Sequence, residues 1–395
     1  MIHLSRREVV AGLMLAASTR SSSASDETPG ITDKEVKIGE TVPFSGPASA
    51  YGVVGRAHEA FLTMINERGG INGRMIKLIC LDDAYSPPKT VEQTRKLVEQ
   101  EEVAAIFGSL GTPTNLATRK YLNSKGVPSI LLTAGATTFN DPAQYPWTMP
   151  WQPNYFDEGA TYAKRIISDK PDAKIALMYA NDDSGKDYAT GFKAGLGDKI
   201  ERLVAQATYD TSEPTVTSQL ARLKSSDAAA FFFHATPKFG AQIIRGIYEM
   251  GWKPTTYVAQ TASSVAGVLE PAGYEAAQGV ISTAYLKDAS DPQWAEDQEM
   301  KDWRAWMARY NTQGDLNDYL NIYAYAQAWC LVKILERAGR DLTRKSIMAS
   351  AASVDFQVPM LLPGIKLETS KTDYRLIKTL RLMKFEGKRW VLLQE

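Results

Sequence analysis

Three histidines, two cysteines and two adjacent aspartate pairs are the side chains whose types could support catalysis or hold a metal. His3, His58 and His234 lie far apart, one near the start, one in a helical stretch and one at a strand end. A Ser-His-Asp site needs a histidine beside a nucleophile and a carboxylate, and a histidine metal site needs closely spaced ligands; neither pattern occurs. Cys80 sits in the apolar run Ile76–Leu81 and Cys330 in a helix-like stretch, so both read as buried thiols, free or paired with each other. Asp82-Asp83 and Asp182-Asp183 follow strand-like runs. Paired carboxylates there could bind a metal or exchange protons, but polar residues at helix starts explain them more simply. Nucleophile-elbow, phosphate-loop and dinucleotide glycine patterns are missing. The expectation is a chain with no catalytic residues, no metal and no cofactor; a secreted enzyme is the alternative from another class.

The remaining chemistry is that of binding. Ser109 follows a strand-like run and just precedes a helix that Thr112-Pro113 opens, threonine suiting the N-cap and proline the first turn. Its hydroxyl and the neighbouring amides would face an anion at the positive helix end. Thr137, after the next strand, offers a second hydroxyl and amide. Structural capping is the competing account of Ser109 and Thr112. Trp147, Trp151 and Tyr155 cluster among Pro146, Pro150 and Pro153, and serve either as an aromatic wall or as hinge packing.

The elements that must position these groups alternate along the chain. Val36–Val42, Met75–Leu81, Val103–Gly108 and Ser129–Thr133 read as strands. Between the first two, Val54, Ala57, Phe61, Met64 and Ile65 form one apolar stripe of a helix that ends at Gly69-Gly70. Pro88–Gln100 is the next helix, with Val91, Leu97 and Val98 inward. After the proline-rich stretch a second series begins. Helix Tyr155–Ser168 buries Phe156, Ala160, Ala163 and Ile166, and strand Lys174–Ala180, helices Lys186–Lys199 and Thr215–Lys224, strand Ala229–His234, helix Lys238–Met250 and strand Thr256–Gln260 follow. Trp294–Tyr310 and Asn317–Ala338 read as long helices, and Leu376–Leu393 as two strands around the turn Glu386-Gly387-Lys388. Strands separated by helices argue for parallel sheets covered on both faces.

A length of 395 residues suits two domains rather than one. With 44% hydrophobic and 23% charged residues the chain is globular rather than disordered. Lys plus Arg and Asp plus Glu are each 45, so no electrostatic argument favours nucleic acid or an anionic membrane as partner. Arg6-Arg7 before the short apolar run Val9–Ala17 is similar to a twin-arginine export signal, expected over residues 1–24. That run is far too short to span a bilayer and no later one is long enough, so the mature protein is expected to be soluble and not membrane-inserted.

Several segments, in order, resemble the leucine/isoleucine/valine-binding protein family, the solute receptors of branched-chain amino acid type ABC importers. They are Val36-Lys37-Ile38-Gly39 with Phe44-Ser45-Gly46-Pro47 and Tyr51-Gly52; Glu67 to Arg74 with the strand ending in Asp82-Asp83; Phe107-Gly108-Ser109; Ala134 to Thr137; and Asn181 to Asp187. The resemblance implies an α/β type I periplasmic binding protein fold. Its two lobes would each be a parallel sheet flanked by helices, residues 31–150 with 286–358 and residues 151–285 with 359–395. Three crossings would join them, near Trp151, near Ser282–Tyr285 and near Val358–Pro363. Ligand would sit between the lobes, which would close by a hinge. It also implies a periplasmic location and ABC transporter permease subunits as partners.

By the same resemblance, Ser109, Ala136 and Thr137 anchor a ligand carboxylate, and Tyr51, Trp151, Ser184, Thr236 and Gln260 complete the site. Three positions depart from the amino-acid-binding pattern. Ser184 and the Ala235-Thr236 pair stand where those receptors carry aromatics. Gln260-Thr261-Ala262 stands where they place the carboxylate that meets the ligand ammonium. Glutamine cannot neutralise a buried ammonium. The expected ligand is therefore a small organic carboxylate lacking an α-amino group, possibly aromatic, with a branched-chain amino acid as the alternative.

Overall fold

The structure, a computed structural model, describes residues 28–393. The export signal expected over residues 1–24 lies outside the described residues. β1 (Glu35–Val42), β2 (Met75–Asp82), β3 (Ala105–Phe107), β4 (Ser129–Leu132) and β5 (Thr148–Pro150) form one sheet in the order β2-β1-β3-β4-β5. Every pairing in it is parallel. Helices α1 (Val53–Glu67), α2 (Pro87–Arg95) and α3 (Thr112–Ser124) make the crossovers. The α1 stripe is buried as its spacing predicts: Val54, Ala57, Phe61, Met64 and Ile65 all face the core.

The second sheet has β6 (Ile175–Ala180), β7 (Leu203–Tyr209), β8 (Ala230–Phe233), β9 (Thr255–Val258), β10 (Ile281–Ala284), β11 (Arg381–Glu386) and β12 (Arg389–Leu392), in the order β12-β11-β10-β9-β8-β6-β7. Its flanking helices are α4 (Tyr155–Asp169), α5 (Asp183–Leu196), α6 (Thr217–Lys224), α7 (Pro237–Glu249) and the short α8 (Glu270–Ala272). The strands from β6 to β10 are parallel, but β11 runs antiparallel to both β10 and β12. The second sheet is thus mixed rather than wholly parallel, because the chain returns late in sequence as a hairpin turned at Gly387, where φ is +66°. The expectation also lacked β7. Exposed residues alternate along that edge strand, so its apolar signal is weak.

The long helices α9 (Gln298–Tyr310) and α10 (Tyr319–Ala338), followed by α11 (Arg344–Ala351), complete the first body, where His58 of α1 meets Gln327 of α10 at 3.0 Å. The segments after β10 and before β11 run side by side. Lys287 N–H donates to the Met360 carbonyl and Leu362 N–H to that of Tyr285, an antiparallel bridge between the two bodies. Residues on the way to β11 rest on the loop before β5, where Tyr374 N–H donates to Asn140 Oδ1. Cys80 on β2 and Cys330 on α10 are separate free thiols.

In the second body α4 and α5 pack through glycines. A Cβ on Gly159 would strike the Tyr188 carbonyl, one on Gly191 the Phe156 carbonyl, and one on Gly195 would lie 2.7 Å from the Ala160 carbonyl. Backbone cannot yield as a side-chain tip can, so Gly191→Ala should cost about 2 kcal/mol by overpacking. The expected outcome is a fall in melting temperature of roughly 5 °C, read by calorimetry; an unchanged melting temperature would show that the helices separate freely.

Candidate functional site

The strand ends of both sheets converge on one cavity. Leu110 N–H donates to the Thr41 carbonyl and Gly111 N–H to that of Thr133, which pins the loop after β3 between β1 and β4. Gly111 has φ +100°, and a Cβ there would collide with the Tyr85 ring, so the loop brings Leu110, Gly111 and Thr112 against the cavity only as glycine allows. From the second sheet come Ser184 in the first turn of α5, His234 after β8, Thr236 at the N-cap of α7 and Thr261 after β9. Tyr319, Leu320 and Tyr323 reach in from the start of α10. The cavity is narrow, about 30 Å³. The walls are therefore nearly in contact.

Of the eight residues expected at the site, Tyr51, Ser184 and Thr236 line this cavity. Ser109 does not reach it: the Ser109 hydroxyl accepts from the Thr41 N–H, 3.1 Å away, and lies 3.1 Å from the Thr41 hydroxyl. Ala136 is packed into the second core beside Phe139. Thr137 is exposed and occupied by protein, because its N–H and hydroxyl both donate to Asp187 Oδ2 at 2.7 and 3.0 Å. Trp151 is fully buried behind the wall, edge-on to the cavity residue Tyr323 at 6.4 Å between ring centroids. Gln260 contributes backbone: its N–H donates to Glu158 and its carbonyl accepts from the Tyr319 hydroxyl.

Sequence reasoning missed Tyr85, Thr112 as a lining group, His234, Tyr319 and Tyr323. The one available signal was the pair Tyr319 and Tyr323, four apart on a helix and hence on one face. Three of the tyrosine hydroxyls are spent on the protein, Tyr51 on the Thr261 carbonyl, Tyr155 on Gln152 and Tyr319 on the Gln260 carbonyl. Thr112 Oγ1, Tyr323 OH and His234 Nδ1 are buried without a hydrogen bond of good geometry; Tyr155 stands beside the Thr112 hydroxyl, and Thr133 and Gln327 beside that of Tyr323. Thr112 is 1% exposed, Tyr323 0% and His234 4%, so water does not satisfy them freely. The first turn of α3 has no side-chain cap, so the Thr112 and Thr114 N–H groups, Pro113 having none, lack a capping side chain.

No lysine, arginine, aspartate or glutamate lines the cavity. Burial pushes the hydroxyls of Tyr51, Tyr85, Tyr319 and Tyr323 well above the usual tyrosine range, so all remain donors. Burial holds His234 down at about 4, opposed by the charge of Asp182. The ring is neutral near pH 7. The site thus presents neutral donors and aromatic faces, suited to a small polar organic molecule rather than to bond making. Among the described residues no group of histidine, cysteine, aspartate and glutamate could hold a metal, and no helix is long and apolar enough to cross a membrane.

The His234 shift also sets an acid limb on stability. Its ordinary value is 6.5, so between that and about 4 the unfolded chain binds a proton that the folded chain refuses. Stability is lost as pH falls through this window. Asp318, raised by burial to about 6, works in the opposite direction there, so the informative quantity is a difference between proteins. Urea unfolding at pH 7 and pH 4.5 should show that His234→Gln recovers about 2 to 3 kcal/mol of the wild-type loss; equal losses in both proteins would contradict a neutral buried ring.

Comparison with known proteins gives a consistent answer. A family model described as periplasmic binding protein matches residues 35–389. A leucine/isoleucine/valine-binding protein homolog from Brucella abortus is 25% identical over 262 residues, covering 64% of this chain and 65% of its own length. The matched region thus spans just under two thirds of that relative. A branched-chain amino acid ABC transporter structure from Thermus thermophilus with bound valine superposes with a TM-score of 0.83 at 17% identity, covering 92% of this chain and 97% of its own. A fatty acid ABC transporter substrate-binding protein from Thermomonospora curvata gives 0.78 at 21% identity, covering 93% of each chain. At such identities the superpositions speak to fold alone: two parallel-rich sheets flanked by helices, the type I arrangement. With the family model covering most of its length, the chain belongs to the periplasmic binding protein family.

Proposed function

We propose that this protein is the periplasmic receptor of an ABC-type importer, that it is not an enzyme, and that it carries a small organic carboxylate lacking an α-amino group to the permease. In this reading residues 31–150 and 286–358 form one lobe, residues 151–285 and 359–395 the other, and the ligand closes them around itself. Tyr51, Thr112, Ser184, His234, Thr236 and Tyr323 contact the ligand. Ser109, Ala136, Trp151 and Gln260 shape the walls behind them, and Thr137 holds the lobes together. The observation that carries the reading is the set of buried groups without a hydrogen bond of good geometry, the Thr112 and Tyr323 hydroxyls with the His234 ring, beside an uncapped helix start and with no acidic side chain in the lining. Donors at a positive helix end favour an anion. An ammonium would meet no lining carboxylate.

One observation favours a branched-chain amino acid instead. Asp182, the N-cap of α5, stands close enough for its charge to act on Tyr51, Tyr85, Tyr155 and His234. Its Oδ1 accepts from the Ser184 hydroxyl and the Gly185 N–H, which leaves Oδ2 as the oxygen that could meet an ammonium. The names of the Brucella relative and of the valine-bound Thermus structure point the same way.

Thermal unfolding with benzoate, a phenylpropenoate, leucine, isoleucine and valine separates the two. A true ligand at a hundred times its dissociation constant stabilises by about 2.7 kcal/mol, roughly a 5–10 °C rise for lobes of this size. We expect such a rise with at least one of the deaminated acids and little with the three amino acids. A large rise with leucine alone would transfer the assignment to the amino acid and make Asp182 its ammonium partner.

A further inference from the structure

We propose that His234 takes up a proton from solvent when a carboxylate enters the cavity, so that the bound anion is held by an imidazolium which the free protein does not carry. The inference rests on the carboxylate reading above and adds to it the group that neutralises the charge.

The geometry leaves few other ways to do so. The cavity lining contains no lysine or arginine, and taking a carboxylate out of water without a counter-charge is costly even where hydroxyl donors are present. His234 is the one lining residue whose side chain can become positive near neutral pH. It is buried at the end of β8, and its Nδ1 has no partner to displace. The ring is fixed by packing: it stacks on Tyr188 with centroids 4.7 Å apart and planes at 22°. Tyr188 is itself held by donating its hydroxyl to Glu158 at 2.7 Å. A neutral imidazole oriented by an aromatic face has one N–H and one bare nitrogen, so it can take up a single proton and then donate from both nitrogens.

The charged and titratable surroundings favour the protonated form once an anion arrives. From α5 come Asp182, whose charge raises His234, and the neutral Tyr188. From α4 come Tyr155 and, behind Tyr188, Glu158; from β7 comes Tyr209, whose hydroxyl accepts from the Thr236 N–H. Lys238 of α7 is exposed and lies over the Phe239 ring. An imidazolium would therefore be favoured by both the Asp182 charge and the ligand carboxylate. Without ligand, burial dominates and the ring stays neutral down to about pH 4.

Titration calorimetry of the full chain with benzoate and with cinnamate, in two buffers of different ionisation enthalpy at pH 6, reads the proton directly. The expected result is uptake of close to one proton per bound acid, and a dissociation constant that weakens roughly tenfold per pH unit between the free-state pKa of the ring, about 4, and its bound-state pKa, levelling off above the latter. His234→Gln keeps a polar side chain but cannot be protonated. It should bind at least tenfold more weakly and show no buffer dependence. Wild-type binding with buffer-independent heat would overturn this inference while leaving the carboxylate reading intact. Proton uptake that persists in His234→Gln would overturn it too, by placing the proton on another group. Absence of binding by both acids would overturn the carboxylate reading and this inference with it.

Discussion

One buried carboxylate organises the half of the site contributed by the second sheet. Glu158 on α4 is 2% exposed and accepts four hydrogen bonds, from the Gln260 N–H at 2.8 Å, Tyr162 OH at 2.8 Å, Tyr188 OH at 2.7 Å and Thr283 Oγ1 at 2.9 Å. Those donors belong to the loop after β9, to α4, to α5 and to β10. Burial raises the Glu158 carboxyl above the usual carboxylate range, and the four donors pull it back only part of the way. Removing it would leave the Gln260 N–H and the Tyr188 and Thr283 hydroxyls without this acceptor in a dry interior, each unpaired donor costing about 1–3 kcal/mol, while Tyr162 keeps the Val258 carbonyl. The consequence for the site is positional. Glu158 sets the Gln260–Thr261 loop, which receives the Tyr51 and Tyr319 hydroxyls, and it sets Tyr188, on which His234 lies.

The first sheet has its own buried hub. Glu40 of β1 lies 2.8 Å from His58 Nδ1, and His58 Nε2 lies 3.0 Å from Gln327 Oε1. Gln327 Nε2 donates to the Leu131 carbonyl and to Thr133, the cavity residue after β4. This chain of contacts fastens α1 and α10 to the strand ends that flank the Leu110–Thr112 loop. It also accounts for one of the three histidines as architecture, since His58 is wholly buried between two helices and a strand. Both hubs do the same work: a single polar group in each core fixes several elements in one register where apolar contacts alone would tolerate sliding.

The sequence made the fold legible because strand runs and helical stripes repeat in a strict order, and the α1 stripe is a case where every apolar residue at the right spacing is buried. It made β7 and β5 invisible for opposite reasons. The first is an edge strand that alternates exposed residues, and the second is three residues long and ends in proline. The site was legible only in part. Tyr51, Ser184 and Thr236 are legible through the resemblance to the leucine/isoleucine/valine-binding family, whose site segments match these positions in order. Tyr85, Tyr319 and Tyr323 sit on elements that look like ordinary core or turn, and only the fold brings residues so distant in sequence together. Glu158 was hidden in plain view, since a glutamate in the first turn of a helix is what any exposed helix start would show.

The position expected to hold a ligand carboxylate holds the protein's own. Thr137 was read as an anion anchor from its hydroxyl and amide, and it does bind a carboxylate, that of Asp187 on α5. Burial raises the Asp187 carboxyl, and the two Thr137 donors pull it back toward the charged form. With the Tyr51 and Tyr319 bonds to the loop after β9, it belongs to a ring of contacts that cross between the two bodies around the cavity. These contacts use donors and acceptors at strand and helix ends, which water can satisfy equally well when the bodies part, so each contributes little net free energy. The cavity they surround is narrow, about 30 Å³, and three of its buried polar groups lack a hydrogen bond of good geometry. On the proposed reading, a ligand that supplies acceptors to Thr112, Tyr323 and His234 would satisfy buried groups that the rim contacts do not reach, so its binding energy would go into drawing the two bodies together.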